Sequence, residues 1–457
     1  MTDELQRFLA AHPDIDGVQI FLTDPSGVAR GKNVRRDELV ALYAHGRNVA
    51  GSILGLTVTG ADVEATGLVW ETGDADKLCV PVTGTLTAAP WLQRTGQLML
   101  SMFELDGRPA PADPRHALAR AVARVQALNY TPVFACEVEF YLLRRLADGQ
   151  LVPAGLEATQ ALGERDRIDA YGLSRLDDLA PVFQDVFAAA AALGLPAGTL
   201  MSEYAPGQYE ITLQHRADAL RAVDEAILFK RLLRGVAARH GLIASFMAKP
   251  FTERAGSGAH LHLSLADREG RNAFAADAPE GSPLLRQVIG GLQATASESF
   301  LAFAPNGNSY RRFRQESYAP VAANWGVNNR SVSLRVPAGP PASRHVEHRF
   351  CGADANLYVA AATVLAGAAL GIEAALDPGP AATGNGYALA STAAVEAAQR
   401  LPQTWGDAID RARSSDFLRE ALGAEFHRVY LAIKAQEFAA YASEVTSTDL
   451  AWYLRSV

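Results

Sequence analysis

Alternating apolar and charged side chains predict a strand at residues 132–141, which read PVFACEVEFY. Val133, Phe134 and their neighbours favour β-structure. Successive side chains of a strand point to opposite faces, so Glu137 and Glu139 share one face and the apolar residues beside them share the other. Two carboxylates ~4 Å apart repel by roughly 4 kcal/mol at an effective dielectric of about 20. We therefore expect metal ions or arginines over the charged face.

The same division into a charged face and an apolar face recurs in other predicted strands. The polar positions are Glu203 and Glu210 around the Pro-Gly turn of SEYAPGQYEITL, His260, His262 and Ser264 of AHLHLSL, and Glu347 and Arg349 of RHVEHRF. An antiparallel sheet accommodates this pattern when its polar face lines a wet cavity and its apolar face packs on helices. The polar residues are therefore candidates for one site.

Five carboxylates and one imidazole form the candidate metal ligands: Glu137, Glu139, Glu203, Glu210, Glu347 and His260. This donor set suits Mg²⁺ or Mn²⁺ better than zinc or copper. Two ions would offset most of the charge, and two-metal sites recur in phosphoryl transfer. Arginines that can bind carboxylates and phosphates also cluster in the sequence, at Arg311, Arg312, Arg330, Arg335, Arg344 and Arg349. Together these groups suggest an ATP-dependent ligase.

Each feature alone also has a structural explanation. Alternating glutamates more often mark a solvated sheet face, and a histidine pair on a strand can be a hydrogen-bonded surface pair. Many glycine-rich turns such as GSG bind nothing. Arg330 and Arg335 are five positions apart and cannot share one face of a regular strand, so either can serve as an ordinary ion-pair partner. The case for a site depends on the combination.

The remaining pattern predicts two domains. Strands are predicted at 18–24, 28–34, 51–58, 77–82, 244–247, 331–336 and 345–350. Helices are predicted at 35–44, 113–128, 176–193, 217–240 and 357–376, with mainly helical structure after that. Residues 144–172 are predicted to be a loop or insertion. The Ala-rich stretch 357–376 carries Glu373, so we expect a buried helix rather than a membrane span.

Composition excludes several classes of protein. The chain has 457 residues, of which 49% are apolar and 20% charged, as expected for a globular protein with a small and a large domain. The net charge of -8 argues against nucleic acid or an anionic membrane as the main partner. Cys79, Cys136 and Cys351 are too few and too far apart to suggest a disulfide framework or a thiolate metal site. The N-terminus lacks a signal-peptide pattern, so we expect a cytoplasmic location.

In order and spacing, the motifs resemble the glutamine synthetase family from about residue 14 to the C-terminus. The matching segments are EVEFYL at 137–142, SEYAPGQYE at 202–210, KPFTERAGSGAHLHLSL at 249–265, NSYRRF at 308–313, NNRSVSLRVP at 328–337 and RHVEHR at 344–349. The resemblance implies an α+β fold with a small N-terminal β-grasp domain, residues 1–105. A catalytic domain, residues 106–457, would follow, with an antiparallel sheet lining the active site and helices outside. It also implies a homo-dodecamer of two rings, with active sites between neighbouring subunits.

The resemblance also assigns roles by position. Glu139, Glu203 and Glu210 would hold one metal ion, and Glu137, His260 and Glu347 the other. Residues matching the glutamate site are Gly256, Arg312 and Arg349, with His260 beside them. The ATP side is matched by His262, Ser264, Arg335 and Arg344, and the transferred phosphate by the catalytic pair Arg330 and Arg335. His345 stands where the family has an arginine, and Arg344 beside it would substitute.

Two departures from the family concern the amine substrate. Glutamine synthetases use an Asp and a Glu to capture ammonium, and this chain has Ala50 and Tyr318 at those positions. Losing both carboxylates favours a larger amine, as do SILGL, GLVWETGD and GADAN, which are similar to segments of the γ-glutamylpolyamine (γ-glutamylputrescine) synthetases. Tyr318 and Glu316 are candidates for the base. If the substrate is a diamine, its far ammonium needs a carboxylate partner, for which Glu64, Glu71 and Asp74 are candidates.

The amine itself stays open at this stage. The sequence predicts an ATP-dependent glutamate–amine ligase that most favours putrescine or another polyamine. A ligase for a monoamine such as ethanolamine or isopropylamine, and a true glutamine synthetase, are the alternatives. A catalytically silent nucleotide-binding paralogue is the alternative from another class. The family's adenylylation tyrosine falls near Tyr387, but its flanking motif is absent, so we do not predict that regulation.

Overall fold

A computed structural model describes residues 2–156, 168–390 and 400–457 of the chain. In these ranges the strands form two sheets, one N-terminal and one in the middle of the chain. Helices surround the second sheet, and the predicted α+β fold is confirmed.

The first sheet has six strands in the order β2-β1-β6-β4-β3, with β5 also paired to β6. Its strands are β1 Gly17–Thr23, β2 Ala29–Arg35, β3 Arg47–Ala50, β4 Asp76–Pro81, β5 Thr87–Ala88 and β6 Thr95–Phe103. β1 and β6 run parallel, and the other pairs are antiparallel. Three of the four strands predicted in this part of the chain are therefore present within about one residue of the predicted positions, and the fourth is wrong.

The wrong prediction is the strand at 51–58. The structure has a 3-10 helix at Gly51–Leu54, and the strand ends before it, at Ala50. Gly55 N–H donates to Ser52 O at 2.7 Å and closes the turn. Leu54, in this turn, is fully buried. The apolar run that suggested a strand therefore contributes to the core from a helical turn.

The second sheet has nine strands in the order β13-β14-β15-β12-β7-β10-β9, and β8 and β11 also pair with β7. Its strands are β7 Thr131–Arg145, β8 Leu151–Pro153, β9 Ala197–Ser202, β10 Gln208–Leu213, β11 Ile243–Ser245, β12 Ala259–Ala266, β13 Trp325–Val327, β14 Leu334–Val336 and β15 Val346–His348. All pairs are antiparallel except β13 with β14. β7, the strand first recognised from its alternation, is the centre of this sheet.

The helices predicted at 113–128, 217–240 and 357–376 are present with similar bounds, whereas those at 3–11, 283–295 and 300–303 were not predicted. In the described ranges the helices are α1 Asp3–Ala11, α2 Leu39–His45, α3 Pro114–Ala127, α4 Leu173–Asp177, α5 Ala180–Ala192, α6 Ala219–Arg239, α7 Pro283–Thr295, α8 Phe300–Phe303, α9 Leu357–Glu373, α10 Gly386–Ala390, α11 Trp405–Ser414, α12 Asp416–Leu422, α13 Ala424–Ala442 and α14 Ser447–Tyr453. Further 3-10 helices lie at Arg36–Glu38, Glu64–Thr66, Trp70–Thr72, Ser309–Arg311 and Pro341–Ser343. The helix predicted at 176–193 is two helices, because Pro181 starts a new one in its first turn. Residues 157–167 of the predicted 144–172 loop lie outside the described ranges, and β8 lies in its described part.

Apolar side chains of β7 and β12 pack on helices and leave the polar face free. Phe134, Val138, Phe140, Leu261 and Leu263 are all buried in one core with residues of α3, α6 and α9. A helix was predicted at 357–376, and α9 is indeed almost entirely buried. None of the helices in the described ranges is long and apolar enough to cross a membrane.

Candidate active site

The register of β7 aligns the two predicted glutamates with polar residues on both neighbouring strands. Glu139 lies directly opposite Glu210 of β10, and Glu137 lies opposite His260 of β12. Side chains at paired positions of an antiparallel sheet lie about 5 Å apart at Cβ and share a face. The carboxylates and the imidazole therefore meet because of strand pairing.

Glu137 is held by two imidazoles. His260 Nδ1 lies 2.9 Å from Glu137 Oε1, and His262 Nε2 lies 3.1 Å from Glu137 Oε2. Burial raises the pKa of the Glu137 carboxyl, but hydrogen bonds and charges from the two histidines outweigh it and hold that pKa well below its ordinary value. Glu137 is therefore a charged carboxylate at neutral pH.

Glu347 of β15 is the most buried carboxylate of the site and is held by two arginines. Arg335 donates to its Oε2 at 2.6 Å, and Arg349 donates to its Oε1. Burial opposes ionisation, but Arg349 and the two nearby histidines, His260 and His262, lower the pKa of Glu347 to about 2. His260 Nδ1 is 3.7 Å from Glu347 Oε1, so this carboxylate belongs to the same cluster.

Two carboxylates on the β10 side, Glu203 and Glu210, have raised instead of lowered pKa values. Burial and the Glu139 charge raise the pKa of Glu203 to about 7. Burial and Glu137 raise the pKa of Glu210 to about 11. Both shifts come first from burial and then from neighbouring carboxylates, and the charge of Arg330 only partly offsets the shift of Glu203. The clustered carboxylates on this side of the site would therefore favour binding of a cation.

Two groups of three side chains have donor atoms close enough to hold a metal ion. In each group the atoms lie within 4.8 Å of one another: Glu137, His260 and Glu347, and Glu139, Glu210 and His260. The first of these groups consists of the three residues predicted to hold the second metal ion. Glu203, predicted with Glu139 and Glu210, lies outside these groups but lines the same cavity. Oxygen donors with one imidazole suit Mg²⁺ or Mn²⁺, so the residues present fit the predicted ions.

Two cavities meet at this cluster, and Glu137 lines both. One cavity, of about 800 Å³, also contains the predicted ATP-side residues His262 and Ser264. The other cavity, of about 440 Å³, contains eight further predicted residues: Glu139, Glu203, Glu210, Gly256, Arg312, Tyr318, Arg330 and Arg349, together with His260. The cluster is thus placed between two separate binding spaces.

The buried arginines of the site have donors that no protein acceptor takes. Nε of Arg335, Arg344 and Arg349 is buried without a hydrogen-bond partner in the described ranges. Arg344 lines neither cavity, although its guanidinium is buried. Arg335 also lines neither cavity, so of the three only Arg349 faces a cavity, where an anionic substrate would satisfy its donor. Arg330 differs, because it is exposed at the edge of the 440 Å³ cavity.

Gly256 and Arg312 form the wall of the same cavity. Arg312 is buried and donates to Phe350 O at 3.0 Å and to Arg349 O at 3.3 Å. A Cβ on Gly256 would lie 2.6 Å from Ala248 O and 2.8 Å from Arg312 Cγ. Glycine is therefore required for the loop to pass this close to the arginine.

His345, at the family's arginine position, pairs with the nucleotide-side histidine. Its Nε2 lies 3.1 Å from His262 Nδ1, and its Nδ1 lies 2.7 Å from Ser343 O. The chain His345–His262–Glu137 thus connects the wall of the larger cavity to the carboxylate cluster.

The structure leaves the predicted amine-side residues of the N-terminal sheet away from these cavities. Ala50 ends β3 and lines neither cavity, and the same holds for Glu64, Glu71 and Asp74. Tyr318 and Glu316 both line the smaller cavity. Ala50 and Tyr318, the two departures from the family pattern, therefore do not line a common cavity within one chain.

Sequence reasoning missed Gln208 and two tyrosines. Gln208 Nε2 donates to Glu139 Oε2 at 3.1 Å and to Gly256 O at 3.0 Å. It stands two positions before Glu210 on β10, so period-2 alternation could have identified it. Tyr204 and Tyr171 line the smaller cavity, and the Tyr204 ring lies 6.3 Å from that of Tyr318. Tyr171 gave no signal in a segment predicted to be a loop.

Three residues that line the 440 Å³ cavity have strained backbone angles. Tyr171, Glu316 and Tyr318 all have positive φ, at 60°, 57° and 58°. Such angles are uncommon for bulky side chains and persist where surrounding structure enforces them, often at functional sites.

Comparison with known proteins gives one consistent result. A family model described as "Glutamine synthetase, catalytic domain" matches residues 111–453. Gamma-glutamylputrescine synthetase PuuA of Escherichia coli K12 is 36% identical over 458 residues, covering 100% of this chain and 95% of that protein. Glutamate–isopropylamine ligase of a Pseudomonas species is 31% identical, covering 99% and 97%. A solved structure titled "GmaS/ADP complex" superposes with a TM-score of 0.84 at 29% identity, covering 99% and 100%.

Proposed function

The chain belongs to the glutamine synthetase family, and on that premise we propose that it joins the γ-carboxylate of L-glutamate to an amine with consumption of ATP. One observation carries this proposal. Glu137, with the cluster around it, lies where the 800 Å³ cavity and the 440 Å³ cavity meet. A ligase of this type needs ATP and the acceptor carboxylate on opposite sides of one charged centre.

The carboxylate cluster supports a divalent-metal requirement. Glu137, His260 and Glu347 would hold one Mg²⁺ or Mn²⁺ ion, and Glu139, Glu210 and Glu203 the other. When bound, the ions would supply the positive charge that phosphoryl transfer from ATP requires. The raised pKa values of Glu203 and Glu210 support this assignment, since repulsion between neighbouring carboxylates adds to burial in both shifts.

In the proposed reaction the γ-carboxylate oxygen of glutamate attacks the γ-phosphorus of ATP, and the bond to ADP breaks. Arg330 and Arg335 stabilise the charge on the transferred phosphoryl group. Arg312 and Arg349 bind the glutamate, beside Gly256. The neutral amine then attacks the γ-carbonyl of γ-glutamyl phosphate, phosphate leaves with the bonding electrons, and the amine nitrogen loses a proton.

For the amine we favour putrescine or another polyamine. Similarity to PuuA supports this choice. The aromatic side chains Tyr171, Tyr204 and Tyr318 around the 440 Å³ cavity support an alkylammonium substrate, because a cation binds over an aromatic face. A free alkylamine has a pKa of ~10.4, so only about one molecule in a few thousand is neutral at pH 7. The site must therefore remove a proton, and Glu316 and Tyr318 remain the candidate bases.

A monoamine ligase is the second candidate. Similarity to glutamate–isopropylamine ligase supports this candidate, because its identity to the chain is 31%, only slightly below the 36% of PuuA.

We further propose a domain boundary near residue 105 and a homo-dodecamer. The start of the family match at residue 111 supports the boundary. The absence of Ala50 from the cavities of its own chain supports a site completed by a neighbouring subunit. Exposed apolar side chains on and beside α14, at Val445, Leu450, Trp452, Tyr453 and Leu454, support burial in an assembly.

The test is phosphate release from ATP in the presence of glutamate, Mg²⁺ and one amine at a time. Putrescine and spermidine should give the highest kcat/KM. Turnover with ethanolamine or isopropylamine but no diamine would favour the second candidate. Turnover only with ammonium would identify a glutamine synthetase, and no turnover with any amine would overturn the ligase proposal.

A further inference from the structure

A third cavity, of about 470 Å³, lies outside the candidate active site. It is bounded by the turn between β1 and β2, by one face of α6 and by the residues where α9 begins. No residue that lines it lines either catalytic cavity. We call it the basic cavity, after Lys230, Arg231 and Arg234 in its wall.

The charge of the basic cavity has one sign. Lys230, Arg231 and Arg234 lie within two turns of α6, and no acidic side chain is among the described residues of the lining. The carboxylate that acts on Lys230 is Asp354, which does not line the cavity. One oxygen of Asp354 accepts hydrogen bonds from Asn306 and Ser309.

Two of the cations are held by neutral oxygens. Lys230 Nζ donates to Ala353 O at 2.8 Å. Arg231 Nε donates to the side-chain oxygen of Gln97 at 2.9 Å, and another of its nitrogens donates to that of Gln19. These contacts fix the side chains without neutralising their charge. Burial lowers the pKa of Lys230 to about 8, so its surroundings do not fully stabilise the charged form.

Arg234 is exposed at the edge of the cavity and lies over an aromatic ring. Its guanidinium carbon is 4.9 Å from the centre of the Phe246 ring, and Lys230 Nζ is also 4.9 Å from it. Lys230 and Arg234 also repel each other, and this repulsion contributes to the lowered pKa of Lys230. An anion in the cavity would offset that repulsion.

The first turn of α9 adds a fourth positive element. Ala355, Asn356 and Leu357 line the cavity, and the 17-residue helix α9 starts there with Asn356 as N-cap. Asn356 Nδ2 donates to the backbone oxygens of Asp24 and Pro25 at 3.0 and 3.2 Å. The helix start is thus fixed against the β1–β2 turn, and its dipole favours negative charge in the cavity.

We propose that the basic cavity binds a small dianion that carries phosphate or carboxylate groups. Its volume exceeds that of a single phosphate ion and lies in the range of ordinary ligand pockets. Such a ligand would contact the N-terminal sheet, α6 and α9 together, so its binding would stabilise the packing between them. The proposal does not depend on which amine the active site uses.

The test uses the full-length protein with saturating Mg²⁺ and ADP, so that the nucleotide cavity is filled. Inorganic phosphate and succinate are titrated separately by calorimetry and thermal unfolding, against NaCl at matched ionic strength. With at least one of the two probes we expect a higher Tm and a binding event that depends on Arg234, in addition to any binding at the active site. Tighter binding of phosphate would identify a phosphate ester as the ligand class, and tighter binding of succinate a dicarboxylate.

Variants on α6 separate this site from general charge effects. Arg234→Gln should weaken binding at least fivefold, and the double variant R231Q/R234Q should abolish it. Arg239→Gln is the matched control, because Arg239 is an exposed arginine of α6 outside the cavity lining. Binding no stronger than the NaCl control in the wild type, or equal binding by Arg234→Gln and Arg239→Gln, would overturn the proposal. Since Arg234 is exposed, its substitution leaves the core intact.

Discussion

Glu137 and His260 lie directly opposite each other on β7 and β12, with Glu137 Oε1 2.9 Å from His260 Nδ1. The other oxygen of Glu137 binds His262, whose ring lines the larger cavity. One carboxylate thus contacts a residue of each cavity. This pairing supports the proposal that metal-assisted phosphoryl transfer takes place at the junction.

Replacing Glu137 with Gln should damage both metal binding and catalysis. The amide keeps the shape but removes the charge that faces His260 and His262. We expect Mn²⁺ affinity to fall at least about 10-fold and kcat by about 100-fold. Mn²⁺ titration followed by electron paramagnetic resonance measures the first effect. Glu269→Gln, at an exposed position, is the control, and retained Mn²⁺ affinity in Glu137→Gln would contradict the assignment.

Gly256→Ala should act on glutamate selectively. The new Cβ would press on Ala248 O and on Arg312, so the arginine must move. A misplaced guanidinium weakens bidentate carboxylate binding, and we expect KM for glutamate to rise about 10-fold. KM for ATP is the internal control, because Gly256 does not line the larger cavity. An equal rise in both constants would indicate general disruption instead.

Tyr204→Ala should weaken the amine and leave the other substrates unchanged. The Tyr204 ring faces Tyr318 across the mouth of the smaller cavity. An exposed cation–π contact contributes about 0.5–1 kcal/mol, so KM for putrescine should rise about two- to fivefold. Tyr204→Phe keeps the aromatic face and should restore wild-type kinetics. No difference between the two variants would remove Tyr204 from the amine site.

The stability of the protein should fall on acidification partly because of His427. This residue of α13 is buried, its Nε2 lies 2.8 Å from Ala412 O, and burial lowers its pKa below the ordinary 6.5. Below pH 6.5 His427 binds a proton in the unfolded chain but stays neutral in the folded protein. The contribution of neutral His427 to the free energy of unfolding is therefore complete above pH 6.5 and is lost as the pH falls. The slope is at most about 1.4 kcal/mol per pH unit.

His427→Gln should therefore flatten the dependence of unfolding free energy on pH between 6.5 and 5. Glutamine can still donate to Ala412 O. Urea unfolding at several pH values measures the effect, with the exposed His45→Gln as control. Unchanged slopes in His427→Gln would show that other groups cause the acid sensitivity.

The polar face of the large sheet was predictable because it depends on local alternation. Glu137 and Glu139 could be assigned to one face from EVEF alone, and His260 and His262 from HLHL. Which strands are neighbours, and hence that Glu139 faces Glu210, depends on register between distant segments. The resemblance supplied that relation, and no period in the sequence encodes it.

Other features could not be predicted because they depend on non-local packing. The apolar run at 51–58 has the composition of a strand but forms a 3-10 turn under the N-terminal core. The basic cavity joins Gly27, Arg234 and Asn356, which are far apart in sequence. Tyr171 reaches the smaller cavity from a segment with no periodic pattern at all.

The proposed reaction requires that the glutamate γ-carboxylate itself attacks ATP between the two cavities. This step can be followed with glutamate labelled with ¹⁸O in its γ-carboxylate, with putrescine as amine and mass spectrometry of the released phosphate. We expect one ¹⁸O atom transferred to phosphate per molecule of γ-glutamyl amide formed. Phosphate that carries no label, with its oxygen taken from water instead, would contradict this step.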